Sequence, residues 1–156
     1  MMGAYDRLVP RVLRTSLPDG CFHVTARGVD GADVFRDDDD RRLYLALMAA
    51  VVRTHGWTCF AFCLMTNHVH HVVEAKVDDL SAGIQYLHGV YAQRFNRKYR
   101  RTGHLFGSRF ASWVVETEDH LGAAATYVLE NPVRAGLCRD PSEWPWSGLD
   151  ERTFAR

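Results

Sequence analysis

The segment "LMTNHVHHVVEA", Leu64 to Ala75, places three histidines within four positions of a run that otherwise reads as a valine-rich strand. Side chains on a strand alternate between faces, so His68, His70 and Val72 share one side while Val69, His71 and Val73 share the other. His68 and His70 therefore stand one pleat apart, a spacing at which two neutral imidazoles can chelate a divalent ion. His71 points away and makes a poor third ligand. The same residues also fit a plainer description, two satisfied histidines half-buried in a sheet, and spacing alone leaves both readings open until a third ligand is found.

The stretch "TEDHLGAAATYVLENP" offers one. It reads as a helix with Thr117 as N-cap and Asp119 and His120 in its first turn. Tyr127 and Asn131 are four residues apart on the stripe of His120 and Ala124, whereas Leu121, Ala125, Val128 and Leu129 can face a core. Asn131 precedes Pro132, so it belongs to the last turn or just beyond. Its amide oxygen is a hard ligand that complements two imidazoles around Mg2+ or Mn2+, leaving positions for a substrate oxygen and water. Tyr127 then lies one turn away, where a phenol beside a Lewis acid can act as a covalent nucleophile. Without the histidines, a ring packed in the core is the simpler account of Tyr127.

The elements that must position these groups follow from periodicity. "CFHVTARG" alternates into a glycine turn and reads as the first strand. "DDDD" (Asp37 to Asp40) then opens an amphipathic helix with Leu43, Leu47 and Val51 every four residues, closed by Gly56. Its acids are explained by capping and by the sign of the helix dipole better than by a metal. "WTCFAFCLM" is a continuously apolar central strand, and "HVHHVVEA" follows at hairpin spacing. A second helix spans about Asp79 to Tyr99, with Leu80, Ile84, Leu87, Tyr91 and Phe95 on one face. "RFASWVVE" is a fourth strand, followed by the tyrosine helix and a Trp/Pro-containing tail. Strand, helix, strand, strand, helix, strand is the ferredoxin-like split βαββαβ order, an α+β fold with an antiparallel sheet, two helices on one face and an extra C-terminal helix carrying the tyrosine.

At 156 residues and 47% hydrophobic, the chain suits a single domain over 1–156 with its core at about 20–147. There is no internal repeat, linker or low-complexity segment. Four cysteines without CxxC pairs suit reduced thiols rather than a disulfide frame or zinc ribbon, and Cys59 and Cys63 read as core. No apolar run is long enough to span a membrane, and "MMGAYDRLVPRVLR" lacks a signal-peptide core, which together give a soluble, cytoplasmic expectation. Nineteen basic against nineteen acidic residues give a formal net charge of zero. That neutral total conceals a polar map: Ser81 to Val115 contains no acid but carries Arg94, Arg97, Lys98, Arg100, Arg101 and Arg109. "YAQRFNRKYRRTGHLFGSRF" interleaves these cations with aromatics, a composition suited to phosphate contacts and to stacking on unpaired bases. Cations near a helix C-terminus are also favourable without any ligand. The density around Arg97 to Arg101, unbalanced by acids, favours nucleic acid.

These pieces resemble the small one-tyrosine transposases of the HUH endonuclease superfamily, most closely the REP-associated tyrosine transposases. The resemblance spans roughly Cys21 to Trp146 and rests on "FHVTARG", "CLMTNHVHHVVE", "YAQRFNRKYRRTGHLFGSRF", "TYVLENPVRAGL" and "WPWS" in the family's order. It implies that His68, Val69 and His70 form the histidine-hydrophobic-histidine motif that binds the metal, with Asn131 completing the site and Tyr127 as nucleophile. It further implies metal-dependent cleavage of single-stranded DNA beside an imperfect, REP-like hairpin, leaving a 3′ hydroxyl and a 5′ phosphotyrosine. Relatives include monomers and dimers that exchange their tyrosine helices. Thr66 departs from the family's usual proline before Asn67, which loosens the turn without removing a ligand, and His71 replaces a common apolar residue. Two other readings of the same residues stay open. One is a protein of this fold that grips nucleic-acid hairpins without cutting. The other is a metal-dependent hydrolase using water, which would survive Tyr127→Phe.

Overall fold

Two hydrophobic layers divided by a sheet organise the computed structural model, which describes residues 20–107 and 109–150. The basic leader lies outside the described residues. Strand β1 (Gly20–Arg27) is followed by helix α1 (Asp38–His55), the hairpin of β2 (Thr58–Leu64) and β3 (His68–Ala75), helix α2 (Val77–Tyr99), β4 (Ala111–Val115) and helix α3 (Glu118–Arg134). A short strand, β5 (Ser147–Leu149), ends the described chain. The sheet order is β4-β1-β3-β2-β5 and every pairing is antiparallel. The four-strand split βαββαβ frame is the one periodicity predicts. β5 is an addition: three residues of the Trp/Pro-containing tail pair with the β2 edge, too short a run to show alternation.

One face of the sheet carries the main core. Phe22, Val24, Leu64, Val69 and Val73 point there, beneath Tyr44, Met48 and Val51 of α1 and Leu80, Ile84, Leu87, Tyr91 and Phe95 of α2. The two helices approach closely at Gly83, where a Cβ would meet Trp57 Cη2 at 2.7 Å and Val51 Cγ1 at 3.0 Å. The other face is covered by α3. Ala124, Ala125 and Val128 pack there on Phe60, Ala61, Cys63, Val72 and Val115. A β-bulge between Cys59 and Ala61 lets the adjacent residues Phe60 and Ala61 both reach this second layer. Ala124, placed by helical spacing on the stripe of Tyr127, is instead fully buried in it. Small residues at 124 and 125 let α3 lie close enough to the sheet for Tyr127 to reach the strands.

The helix ends follow their sequence signals. Asp37 caps α1 by accepting from Asp40 N at 2.9 Å, and Asp40 reciprocates to Asp37 N at 3.3 Å, a capping box. Thr117 caps α3, accepting from His120 N at 3.0 Å. That helix continues one turn past Asn131, through Pro132 to Arg134. Thr66 enters the turn before β3 through its carbonyl, which accepts from Val34 N at 2.9 Å and Phe35 N at 3.3 Å. Proline supplies the same carbonyl, so its absence leaves these bonds in place. The four cysteines are free thiols, and among the described residues no helix is long and apolar enough to cross a membrane.

Candidate active site

Pairing register decides which histidines meet. β1 and β3 are neighbours with Thr25 opposite His70, Arg27 opposite His68 and His23 opposite Val72. Because Phe22, Val24 and Ala26 face the α1/α2 layer, His23 and Thr25 face α3 together with His68 and His70. The His68 and His70 rings lie 4.9 Å apart between centroids, and His23 approaches His70 diagonally with rings 5.3 Å apart. Tyr127 completes the group from α3, its ring 6.1 Å from that of His70 and 5.8 Å from that of His23. The sheet thus supplies the imidazoles and the helix supplies the phenol.

Hydrogen bonds set which ring nitrogens can bind an ion. Asn67 Nδ2 donates to Gly31 O at 3.3 Å, so its Oδ1 faces His68 Nδ1 at 2.7 Å. An amide oxygen only accepts, so His68 carries its proton on Nδ1 and keeps a lone pair on Nε2. His70 Nδ1 lies 3.1 Å from His23 Nε2, while His70 Nε2 is buried with no hydrogen-bond partner among the described residues. Burial holds all three imidazoles neutral. It lowers His23 and His68 to about 4, the latter helped by Arg27, and it holds His70 well below the ordinary imidazole range, with His23, His68, His71 and Arg134 adding to the effect. Neutral imidazoles are the form that binds a divalent metal, and the bare Nε2 of His68 has that character. Among the described residues no three His, Cys, Asp or Glu side chains are arranged as an ion site. Asn131, the amide expected to complete the ligand set, lies one turn after Tyr127 on α3. Its Nδ2 donates to Tyr127 O at 3.3 Å, and its Oδ1 is the atom with ligand character.

Arg134 joins this arrangement from the last turn of α3. Its guanidinium donates to the Tyr127 carbonyl, lies 4.1 Å over the Tyr127 ring, and pairs with Glu130 at 3.1 Å. Tyr127, Asn131 and Arg134 are therefore tied to one peptide oxygen. Arg134 shares the face of Tyr127 seven residues on, and it was missed because the helix was expected to end at Asn131, before Pro132. His23 and Arg27 were legible in principle: the alternation of "CFHVTAR" beside β3 puts both on the histidine face.

His71 does not enter the site. It lies in the opposite layer, with Nε2 at 2.8 Å from Tyr44 Oη, which also reaches His88 Nε2 at 3.2 Å. The basic residues fall into separate groups. Arg94 and Arg97 are exposed on α2, across the sheet from Tyr127, Arg100 ends that helix at φ 51°, and Arg101 donates to Asn96 Oδ1 at 2.7 Å. Lys98 is bonded to Asp37 at 2.6 Å and Asp40 at 2.9 Å, and Tyr99 Oη donates to Asp40 at 2.7 Å. The acids of α1 thus balance part of a cluster that is acid-free along the sequence. Beyond α2 the chain runs back to the site: Val29 N donates to Leu105 O at 2.8 Å and Gly107 N to Arg27 O at 3.0 Å, just before exposed Arg109.

With this geometry in place the comparisons with known proteins become specific. The model of the family described as "Transposase IS200 like" matches residues 19–131. This chain belongs to the IS200-like transposase family. The match takes in β1, the histidine strand and α3 as far as Asn131. A REP-associated tyrosine transposase, solved bound to a REP hairpin, has the same fold, with a TM-score of 0.71 at 16% identity over 89% of this chain and 82% of that one. A putative transposase from Deinococcus radiodurans aligns with a TM-score of 0.49 at 18% identity over 71% of this chain and 88% of its own. Comparison with curated protein sequences gives no match. Membership in the IS200-like transposases points to DNA transposition as the class of activity.

Proposed function

We propose that this transposase cleaves and rejoins single-stranded DNA beside a hairpin through a 5′-phosphotyrosine on Tyr127. The observation that carries the reading is the position of the Tyr127 ring, 6.1 Å from His70 on the face that also holds His68. In the cleavage step Tyr127 Oη loses its proton and attacks the scissile phosphorus. The Tyr–O–P bond forms, the bond from phosphorus to the 3′ oxygen breaks, and that oxygen leaves as a hydroxyl after taking a proton. One phosphodiester is exchanged for another, so rejoining needs no external energy source.

Mg2+ or Mn2+, held by Nε2 of His68 and His70 and by Asn131 Oδ1, would supply Lewis-acid polarisation of the phosphate. The chain's own cations do the rest. The Arg134 guanidinium over the Tyr127 ring favours the phenolate and stands where charge develops on the phosphate. Arg27, opposite His68, is placed to contact the same group. Arg94, Arg97, Arg100, Arg101 and Arg109 hold the flanking strand or the hairpin through phosphate contacts. Lys98, saturated by Asp37 and Asp40, is left out of that surface. The hairpin on the solved REP-associated relative supports a hairpin substrate here. The approach of Tyr127 to His70 of its own chain supports a site completed in cis, whether the protein works as a monomer or a dimer.

Incubation of the protein with labelled single-stranded hairpin oligonucleotides from its genome's repetitive palindromes, with Mg2+ or Mn2+, tests the reading on a denaturing gel. A metal-dependent protein–DNA adduct that Tyr127→Phe abolishes is the expected result. Tight hairpin binding with no adduct from any substrate overturns it in favour of a non-cleaving hairpin binder. Cleavage that persists in Tyr127→Phe overturns it in favour of water as nucleophile.

A further inference from the structure

His23 has no part in the nucleophile, the ligand set or the DNA surface, yet it is 2% exposed and sits at the centre of the site. Its Nε2 is 3.1 Å from His70 Nδ1. The ring of Trp113, its cross-strand partner on β4, stands 5.5 Å from its ring, and that of Tyr127 on α3 stands 5.8 Å from it. A ring fenced by two aromatics is held in one orientation, and here that orientation presents Nε2 to His70.

A neutral imidazole carries one proton, and free imidazoles of this kind divide it between the two nitrogens. A metal ligand must keep its coordinating nitrogen bare, so something has to hold the proton on the other. Asn67 does this for His68, because its oxygen can only accept. We propose that His23 is the corresponding positioning residue for His70: its Nε2 accepts the Nδ1 proton of His70, which leaves His70 Nε2 as the donor to the ion. The two ligands then reach the same state through different second partners, an amide oxygen for one and an imidazole for the other. His23 in turn carries its own proton on Nδ1. The inference rests on the proposed metal site and adds the residue that prepares one half of it.

Proton-nitrogen correlation spectra of the histidine rings in the metal-free protein at neutral pH read the tautomers directly, and Mn2+ titration followed by electron paramagnetic resonance reads the affinity. The wild type is expected to show His70 protonated on Nδ1. His23→Phe keeps a ring in the pocket but removes the acceptor. It is expected to shift His70 toward the Nε2-protonated form and to weaken Mn2+ binding by about tenfold to a hundredfold, the usual effect of losing such a partner. His23→Gln, whose side-chain oxygen can accept the same proton, is expected to retain both properties. An Nε2-protonated His70 in the wild type overturns the inference, as does a His23 ring nitrogen that shows a coordination shift when Mg2+ is added. Wild-type Mn2+ binding that His70→Ala abolishes and His23→Phe leaves unchanged overturns it alone. A wild type that binds no Mn2+ overturns the metal site first and this inference with it.

Discussion

His70 and His71 are chain neighbours on β3, both almost fully buried and both kept neutral by that burial, yet they belong to opposite sides of the sheet and to different kinds of structure. His71 faces two core helices. Its Nε2 is bonded to the hydroxyl of Tyr44, whose ring stacks on it at 5.7 Å, and His88 closes the network while stacking on Phe106 at 4.1 Å. His70 faces one helix and a neighbouring strand, where its partners are a second imidazole and a phenol. The residue type is the same, and the difference lies in what the facing layer supplies. Two amphipathic helices close over His71 with large side chains. Over His70 a helix of small residues leaves the sheet accessible to one tyrosine.

That contrast predicts opposite responses to paired substitutions. The largest effect is expected for the two tyrosines. Tyr127→Phe should remove the covalent adduct entirely while leaving hairpin binding and the thermal midpoint near wild type. Tyr44→Phe should keep cleavage per folded molecule but cost about 1–2 kcal/mol of stability, because it leaves buried imidazole nitrogens without a partner. Gel assays and denaturant unfolding on both variants measure the two columns, and adduct formation by Tyr127→Phe would break the division.

The histidines should divide the same way. His70→Ala is expected to abolish measurable Mn2+ binding. His71→Ala is expected to cost about 1–3 kcal/mol by removing one of the two imidazoles bonded to the Tyr44 hydroxyl and leaving a cavity beside it, with Mn2+ affinity unchanged in the folded fraction. Calorimetric titration at a temperature where both variants are folded tests this. Loss of metal by His71→Ala with no loss of stability would place the functional histidine on the wrong side of the sheet.

Acid should act on both faces alike. His23, His68 and His88 are lowered to about 4 and His71 to about 3, chiefly by burial. Each folded-state value lies below that of a free imidazole, so the unfolded chain binds more protons between the two. Stability from these groups is complete above about pH 6.5 and is lost as the pH falls toward the folded values, at about 1.4 kcal/mol per pH unit for each histidine that must charge. Thermal midpoints measured from pH 7.5 to 4.5 should fall steeply below 6.5. A flat profile would mean that the imidazoles charge without unfolding the protein.

The smallest effect separates cations that look equivalent in sequence. Arg97→Met should lower hairpin affinity and reduce the salt dependence of binding by about one phosphate contact. Lys98→Met should change affinity by less than about twofold, a screened long-range effect, because its ammonium is already bonded to Asp37 and Asp40. Equal salt slopes for the two variants would show that the acids release Lys98 when DNA binds.

Sequence periodicity carried the frame well because it reports local facts: which residues alternate, where a helix is capped, and that two histidines share a face. It also placed His71 on the opposite side. What it could not carry were properties created by pairing between distant segments. The partnership of His23 with His70 depends on β1 lying beside β3 in one register. The neutralisation of Lys98 depends on α1 and α2 bringing residues 61 apart together. Arg134 needed the helix to continue through Pro132, where the residue before a proline ordinarily marks a boundary. The burial of Ala124 turned on the angle at which α3 meets the sheet, which the helical stripe alone does not specify.

The knot of Asp37, Asp40, Lys98 and Tyr99 has a mechanical meaning beyond its charges. It fastens the first turn of α1 to the last turn of α2, and everything between those points, including both strands of the histidine hairpin, is a closed loop of chain. The loop that contains His68 and His70 is thus closed by a clasp on the far layer of the molecule. Opening it lets the enclosed hairpin slacken as one unit, and amide exchange across β2 and β3 should quicken together in Lys98→Met even though no residue of the site has been touched.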